Sequence, residues 1–221
     1  MGLALEELGT AMSNTDDFRG LTFMNKIGHL YYLSLEEVMG ANGVKAVLRL
    51  ANLPDYLEAY PPSDFKRGYH FEAQAATSQA LHTMYGPRGA RGLEMRAGRV
   101  AFNLGLREFG PLLSVSDLAM KLMPPAMKLK IILNAVTQVF DRFTDLKPHI
   151  KEEKGQFIYH ITQCSNCIAR EPAPNFFLAR GILEESAAWA SGGKRFVVEQ
   201  TCCMGQGSET CSFNIGKEPI S

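Results

Sequence analysis

The chain has no surplus of either charge: Lys and Arg together number 23, Asp and Glu number 23, and the formal net charge is zero. Without basic excess there is no general electrostatic pull toward nucleic acid or an anionic membrane surface, so neither is expected as the main partner. Long apolar runs are also missing. None approaches the ~20 residues that span a bilayer, so no integral membrane segment is expected. Glu6 and Glu7 follow closely on Met1 and Gly2, which breaks the basic-then-apolar order of a secretory signal and leaves no Ser or Thr for myristoylation. A cytoplasmic location follows as the expectation. In that reducing setting cysteines serve as ligands, core residues or reactive thiols rather than as disulfides.

Signatures of common chemistry are scarce. The five histidines, His29, His70, His82, His149 and His160, show no metal spacing of the H-x-x-x-H kind. No dinucleotide fingerprint of the form G-x-G-x-x-G occurs. The Gly-rich basic segment 86–92 lacks the Lys-Ser/Thr of a phosphate loop and reads as a turn. Hydrophobic residues make up 46% and charged residues 21% of the 221 positions, an ordinary globular balance with enough chain for one sizeable core or two small ones.

What is present begins with helical periodicity. Residues 21–39 place Met24, Ile27, Leu30, Tyr31, Leu35 and Val38 at three- and four-residue spacing before Gly40. A short helix over 44–53 and the break at Pro61 and Pro62 follow. A helix over 70–85 is closed by Gly86 and Pro87, and 98–109 is compatible with another. After Pro124 and Pro125, Ile132, Val136, Val139, Phe140 and Phe143 form one apolar stripe along a helix of about five turns. Beyond Pro148 the period changes. Segments 149–153 and 156–163 alternate around Lys154 and Gly155 as a hairpin, 175–190 is helical, and 195–201 and 210–215 are strands. The expectation is an α+β fold, with a helical part at 21–146 packed on an antiparallel ββαββ unit at 147–216, in one domain 21–221 after an extension 1–20.

All five cysteines lie beyond residue 163. Cys203 leaves one strand and Cys211 enters its neighbour, so their side chains can face each other. Glu199 precedes Cys203 by an even number and points to the same side of a regular strand. Two thiolates and a carboxylate are ligands that zinc accepts. The bland alternative is two buried cross-strand thiols beside a solvated carboxylate. Cys202 is out of phase and faces away. Cys164 and Cys167 form a C-x-x-C after a strand: a zinc half-site, a redox dithiol, or a turn flanked by buried thiols. The loop with Pro172 and Pro174 that follows disfavours redox catalysis. Phe102, Phe109, Phe140, Phe143, Phe176, Phe177 and Trp189 are core by default. If the helices do not close on the sheet, they line an apolar ligand pocket, with Met84, Met120, Met123 and Met127 as adaptable surface.

The order of these features resembles the 4-vinyl reductase domain family. It runs from a strand ending in Cys164-x-x-Cys167, through Gly181 in a helix and the pair Gly192 and Gly193, to Cys203-x-x-x-Gly207-x-x-x-Cys211-Ser-Phe213. The segments 85–93 and 96–99 look like stand-alone bacterial members, and the likeness covers about residues 20–216. It implies a fold like that of TRAPP tethering subunits, a homodimer, a hydrophobic cavity, and a structural zinc held by three cysteines and a glutamate. Carried over, the zinc ligands fall on Glu199, Cys203 and Cys211. Phe176 stands about where the remaining cysteine belongs, which leaves a metal-free site, a metal with water or ligand in the open position, or recruitment of Cys164 or Cys167 to close the shell. The implied function is a non-catalytic binding protein that holds a hydrophobic, aromatic or tetrapyrrole ligand against Phe102, Phe109, Phe140, Phe143, Phe177 and Trp189. An accessory role in vinyl-group reduction during bacteriochlorophyll biosynthesis and an assembly adaptor are the alternatives. Nothing in the sequence supplies a hydride source for the former.

Overall fold

The structure, a computed structural model, describes residues 18–113, 123–168 and 176–220. The extension up to residue 17, and Met120, Pro172, Pro174 and Asn175, lie outside the described residues. The described chain is α+β, with N-terminal helices packed on a C-terminal antiparallel sheet. It opens with β1 (Thr22–Met24), α1 (Asn25–Leu50), α2 (Asp55–Glu58), β2 (Arg67–His70) and α3 (Phe71–Phe109). There follow α4 (Pro125–Phe143), β3 (Pro148–Glu153), β4 (Gln156–Ile161), α5 (Phe177–Ser191), β5 (Arg195–Cys202) and β6 (Cys211–Ile220).

Two glycines punctuate the helical part as their chemistry requires. Gly40 (φ 76°) and Gly86 (φ 67°) adopt backbone angles that residues with a Cβ rarely reach. Each sits at a kink inside an otherwise continuous helix, and at Gly86 the following Pro87 withholds an N–H as well. The sequence-based breaks at these positions are therefore kinks, and α3 runs on to Phe109 rather than restarting near 98.

β3, β4, β6 and β5 lie in that spatial order, every neighbouring pair antiparallel. Phe157, Tyr159 and Ile161 of β4, Cys211, Phe213 and Ile215 of β6, and Phe196 and Val198 of β5 alternate onto the buried face. α4 and α5 pack against this face and α3 packs on α5, and their apolar residues merge with it into the main core. α3 and α5 approach closely because both contribute glycine at the crossing. A Cβ on Gly98 would collide with the carbonyl oxygen of Leu178, and one on Gly181 with that of Met95. A small ribbon of β1 and β2, not anticipated from sequence, packs Phe23 and Tyr69 against the same core. Among the described residues no helix is long and apolar enough to cross a membrane.

Candidate functional site

The helices do not fill the space over the sheet. A cavity of about 130 Å³ remains, walled by residues of α1, α3, α4, α5 and β4. Small side chains open it: Ala101 and Gly105 on α3, Ala135 on α4 and Ala179 on α5 all face it. Between them stand Phe102, Phe109, Phe140, Ile132, Val136 and Phe176. The polar members of this wall are Tyr31, Tyr69, Tyr159 and Gln74, and none of the described lining residues is charged. Two of the four carry polar atoms without a partner among the described residues: the Tyr31 hydroxyl and Gln74 Oε1. An unpaired buried polar atom costs roughly 1–3 kcal/mol, so such atoms mark a place where a partner is missing. Tyr69 is satisfied, donating to the Tyr32 hydroxyl at 3.3 Å, which lies 3.1 Å from Thr77 Oγ1. Burial first, and the neighbouring Glu94 and Tyr32 second, push the Tyr31 phenol well above its ordinary range, so it stays a neutral hydroxyl.

Behind the cavity, α3 buries a carboxylate. Glu94 is 1% exposed and accepts a 2.5 Å hydrogen bond from Ser78 Oγ. His82 Nε2 lies 3.5 Å from its other oxygen, close enough for attraction but too long for a strong hydrogen bond. Desolvation raises the Glu94 pKa, and His82 and Ser78 oppose that rise only in part.

The second feature is a knot of sulfur beside the sheet. The tight turn Ser165–Ile168 brings Cys167 round to Cys164, with the Cys167 N–H donating to the Cys164 carbonyl at 3.1 Å. A similar turn, Met204–Gln206, follows Cys203, whose carbonyl accepts from the Gln206 N–H at 3.0 Å. The two turns face each other with Cys211 between them. Cys167 Sγ is 3.3 Å from Cys211 Sγ and 3.8 Å from Cys203 Sγ, and the sulfurs of Cys164, Cys167 and Cys211 lie within 4.8 Å of one another. All four are buried, and Cys202 is exposed. Backbone N–H groups point at the sulfurs: Met204 to Cys211 at 3.3 Å, Gly205 to Cys167 and Cys203, and Asn166 to Cys164. Hydrogen bonds from Cys164, Cys203 and Cys211 lower the Cys167 pKa strongly. Burial among its neighbours raises that of Cys164, and donation to its neighbours raises Cys203 and Cys211.

The sequence-derived site residues divide accordingly. Cys164, Cys167, Cys203 and Cys211 converge, whereas Glu199 is exposed and lies outside the cluster. The even-spacing argument assumed a regular strand, but the register shifts between Gln200 and Cys202, and Cys203 lies past the end of β5. Of the aromatic set, Phe102, Phe109 and Phe140 reach the cavity. Phe143 instead stacks on Phe109, Phe177 stacks on His82, and Trp189 meets Phe102 edge-on from behind. Phe176 faces the cavity rather than the sulfurs. Met84 and Met127 are exposed. Sequence reasoning missed Tyr31 as a site residue because it falls on the core stripe of α1, and missed Gln74, a polar residue on an apolar face and therefore the one available signal.

No family model matches the chain, and no curated protein is significantly similar to it. Solved structures are similar in fold, and those compared are H-NOX domains. One, described as an Fe(II) unliganded H-NOX protein from K. algicida, superposes with a TM-score of 0.57 at 13% identity, over 89% of this chain and 97% of that one. Another, from S. oneidensis in the Fe(II)NO ligation state, gives a TM-score of 0.55 at 16% identity, over 90% of this chain and 99% of that one. A third, from work on heme distortion in the H-NOX family, gives 0.56 at 11% identity, over 90% and 97%. The architecture is therefore of the H-NOX kind.

This corrects the resemblance to 4-vinyl reductase domains and the TRAPP-like fold expected from it. The cysteine order that carried the resemblance arises from two facing turns, an arrangement that different folds can share. With the resemblance fall the tetrapyrrole or hydrophobic ligand it implied, the part in bacteriochlorophyll biosynthesis and vinyl reduction, the adaptor role, and zinc as the expected cofactor. The solved structures of this fold are described by Fe(II) and heme instead.

Proposed function

We propose that the chain is a small-molecule-sensing module on the H-NOX fold. Its cavity takes an uncharged molecule no larger than a single six-membered ring and bearing a hydrogen-bonding group. The observation that carries this reading is the pair of unpartnered atoms, the Tyr31 hydroxyl and Gln74 Oε1, on an otherwise apolar wall. A cavity of about 150 Å³ lined by aliphatic and aromatic carbon accommodates benzene, and this one measures about 130 Å³. Gln74 Oε1 can only accept, so the ligand brings a donor; Tyr31 can serve as donor or acceptor.

Solved H-NOX structures are described by Fe(II), Fe(II)NO and heme, and that group asks two things of a cavity: an axial ligand for iron and room for the macrocycle. The residues here do not fit it. Haem iron is held by His, Cys, Met or Tyr, and the described wall offers only tyrosines, with Tyr31, Tyr69 and Tyr159 all held neutral by burial. The histidines lie elsewhere. His29 donates to the Pro61 carbonyl, His82 attends Glu94, His149 and His160 stack on each other, and His70 is exposed. No described Lys or Arg lines the space to meet propionates. The volume is also below the ~300 Å³ at which pockets for larger ligands begin. The likeness of fold supports a ligand-taking cavity between helices and sheet, and the wall's own chemistry narrows the ligand.

Thermal unfolding with added probes tests this. Cyclopentanol is expected to raise the Tm of the chain, cyclopentane to raise it less, and haemin to give no stoichiometric iron-ligated absorbance band. Uptake of one haemin per chain, with a band lost in Tyr31→Phe, would replace the reading with haem ligated by phenolate.

A further inference from the structure

We propose that Cys164, Cys167, Cys203 and Cys211 bind one thiophilic transition-metal ion as a closed, tetrahedral, all-sulfur site, separate from the ligand cavity. The geometry is the first support. In a tetrahedral thiolate shell with metal–sulfur bonds of ~2.3 Å, the sulfurs stand about 3.8 Å apart. Cys167 Sγ stands 3.3 Å from Cys211 Sγ and 3.8 Å from Cys203 Sγ, near that edge; Cys164, Cys167 and Cys211 lie within 4.8 Å of one another, and Cys203 joins the group through Cys167. A single disulfide would use only two of the sulfurs and leave two buried thiols.

The second support is the backbone. A metal bound by four thiolates carries net negative charge, which in a buried setting must be met by donors. The N–H groups of Asn166, Met204 and Gly205 are aimed at sulfur, and they come from the two turns that carry the cysteines. Those turns repeat one design, a Cys followed by a tight turn whose N–H returns to its carbonyl. A divalent ion replaces up to four thiol protons, which leave to solvent, and supplies the positive charge the cluster lacks. An all-sulfur tetrahedral shell selects soft or borderline ions over Mg²⁺ or Ca²⁺. With all four positions filled by protein, the ion has no open site and its role is structural: it pins the turn after β4 to the β5–β6 connection.

The test uses the full chain. Elemental analysis of protein purified under reducing conditions is expected to find about one thiophilic ion per chain. After removal by a strong chelator, Co(II) is expected to restore one site with intense sulfur-to-cobalt charge-transfer absorption and tetrahedral visible bands. Cys167→Ser and Cys211→Ser weaken Co(II) binding by at least ~10-fold, and Cys202→Ser leaves it unchanged. Where a cysteine variant fails to fold, the cobalt spectrum of the wild-type chain decides alone. Absence of any thiophilic ion together with absence of sulfur-to-cobalt absorption overturns the proposal. So does a mass two hydrogens lighter under native conditions, with a Cys167–Cys211 disulfide mapped in the reduced-buffer preparation. Loss of the cavity's alcohol binding with the metal site intact would count against the proposed function and not against this site.

Discussion

Gln74 donates from its side-chain Nε2 to Oδ1 of Asn166 at 3.2 Å, both residues being buried. Gln74 stands in the cavity wall, and Asn166 lies within the turn between Cys164 and Cys167. One amide thus touches both features of the site, its Nε2 holding the cysteine turn and its Oε1 left to the cavity. Loosening the turn is expected to release the amide that a ligand requires. Chelating the proposed metal should weaken cyclopentanol binding by at least ~5-fold, the low end of measured couplings between sites, and Gln74→Leu should abolish that difference. Titrations of the four combinations of metal state and variant check this.

Tyr31→Phe should separate stability from binding. Removing a buried hydroxyl that has no partner relieves the ligand-free chain by about 1 kcal/mol while removing one of the two polar contacts for the ligand. Urea unfolding is expected to show a higher midpoint with an unchanged slope, and cyclopentanol should shift the variant's Tm less than the wild type's. A lower midpoint would mean that the hydroxyl already has a partner.

The contact between α3 and α5 gives a matched pair of substitutions. Gly98→Ala drives a Cβ into the Leu178 carbonyl and should cost about 1–3 kcal/mol, as overpacking does. Gly92→Ala, about 1.7 turns earlier on the same helix, meets nothing within 4 Å and should gain about 1 kcal/mol of helix propensity. Opposite signs in chemical unfolding are the expected result.

Glu94 gives the fold a pH dependence with a defined sign. Its folded pKa is raised above the ordinary 4.5, chiefly by desolvation, so the native chain holds a proton that the unfolded chain releases. The stabilising contribution is complete below about pH 4.5 and is lost as pH rises through the folded value. The groups facing it are Ser78 and His82 on its own helix and Tyr31 from α1. Glu94→Gln keeps an acceptor for Ser78 and does not titrate, so the fall in stability with rising pH in that window should flatten. Unfolding midpoints measured across the acid range check this.

Much of the fold was legible because it is written in local signals. Gly40 and Gly86 marked kinks, and the Gly192–Gly193 pair a helix end, where the backbone takes positive φ, and the alternation around Gly155 marked the β3–β4 hairpin. The convergence of four cysteines was less legible. Cys203 and Cys211 are near neighbours across a turn, but Cys164 and Cys167 reach them only through the β4–β6 pairing, which sets Ile161 opposite Cys211. Glu199 misled because the strand argument held only up to the irregularity at Gln200–Cys202.

The cavity was legible as a stripe of aromatics and not as a shape. Periodicity shows which face of a helix is buried and says nothing of what volume the opposite wall leaves empty. That volume depends on Ala101, Gly105, Ala135 and Ala179 meeting from three helices. Tyr31 looked like any other core position. Gln74 was the readable exception, a buried amide whose partners lie far along the chain. The resemblance drawn from the cysteine order placed the chain in another family because short cysteine spacings reflect turn geometry that folds share.

The central claim is that the Tyr31 hydroxyl and Gln74 Oε1 receive a small uncharged ligand directly. Calorimetric titration of cyclopentanol into the wild-type chain and into a Tyr31→Phe, Gln74→Leu double variant tests it most directly. One binding site per wild-type chain is expected, with affinity in the double variant lower by about 10-fold, the sum of two hydrogen bonds near 0.7 kcal/mol each. Equal affinity in the two proteins, or no heat of binding to the wild type, would contradict it.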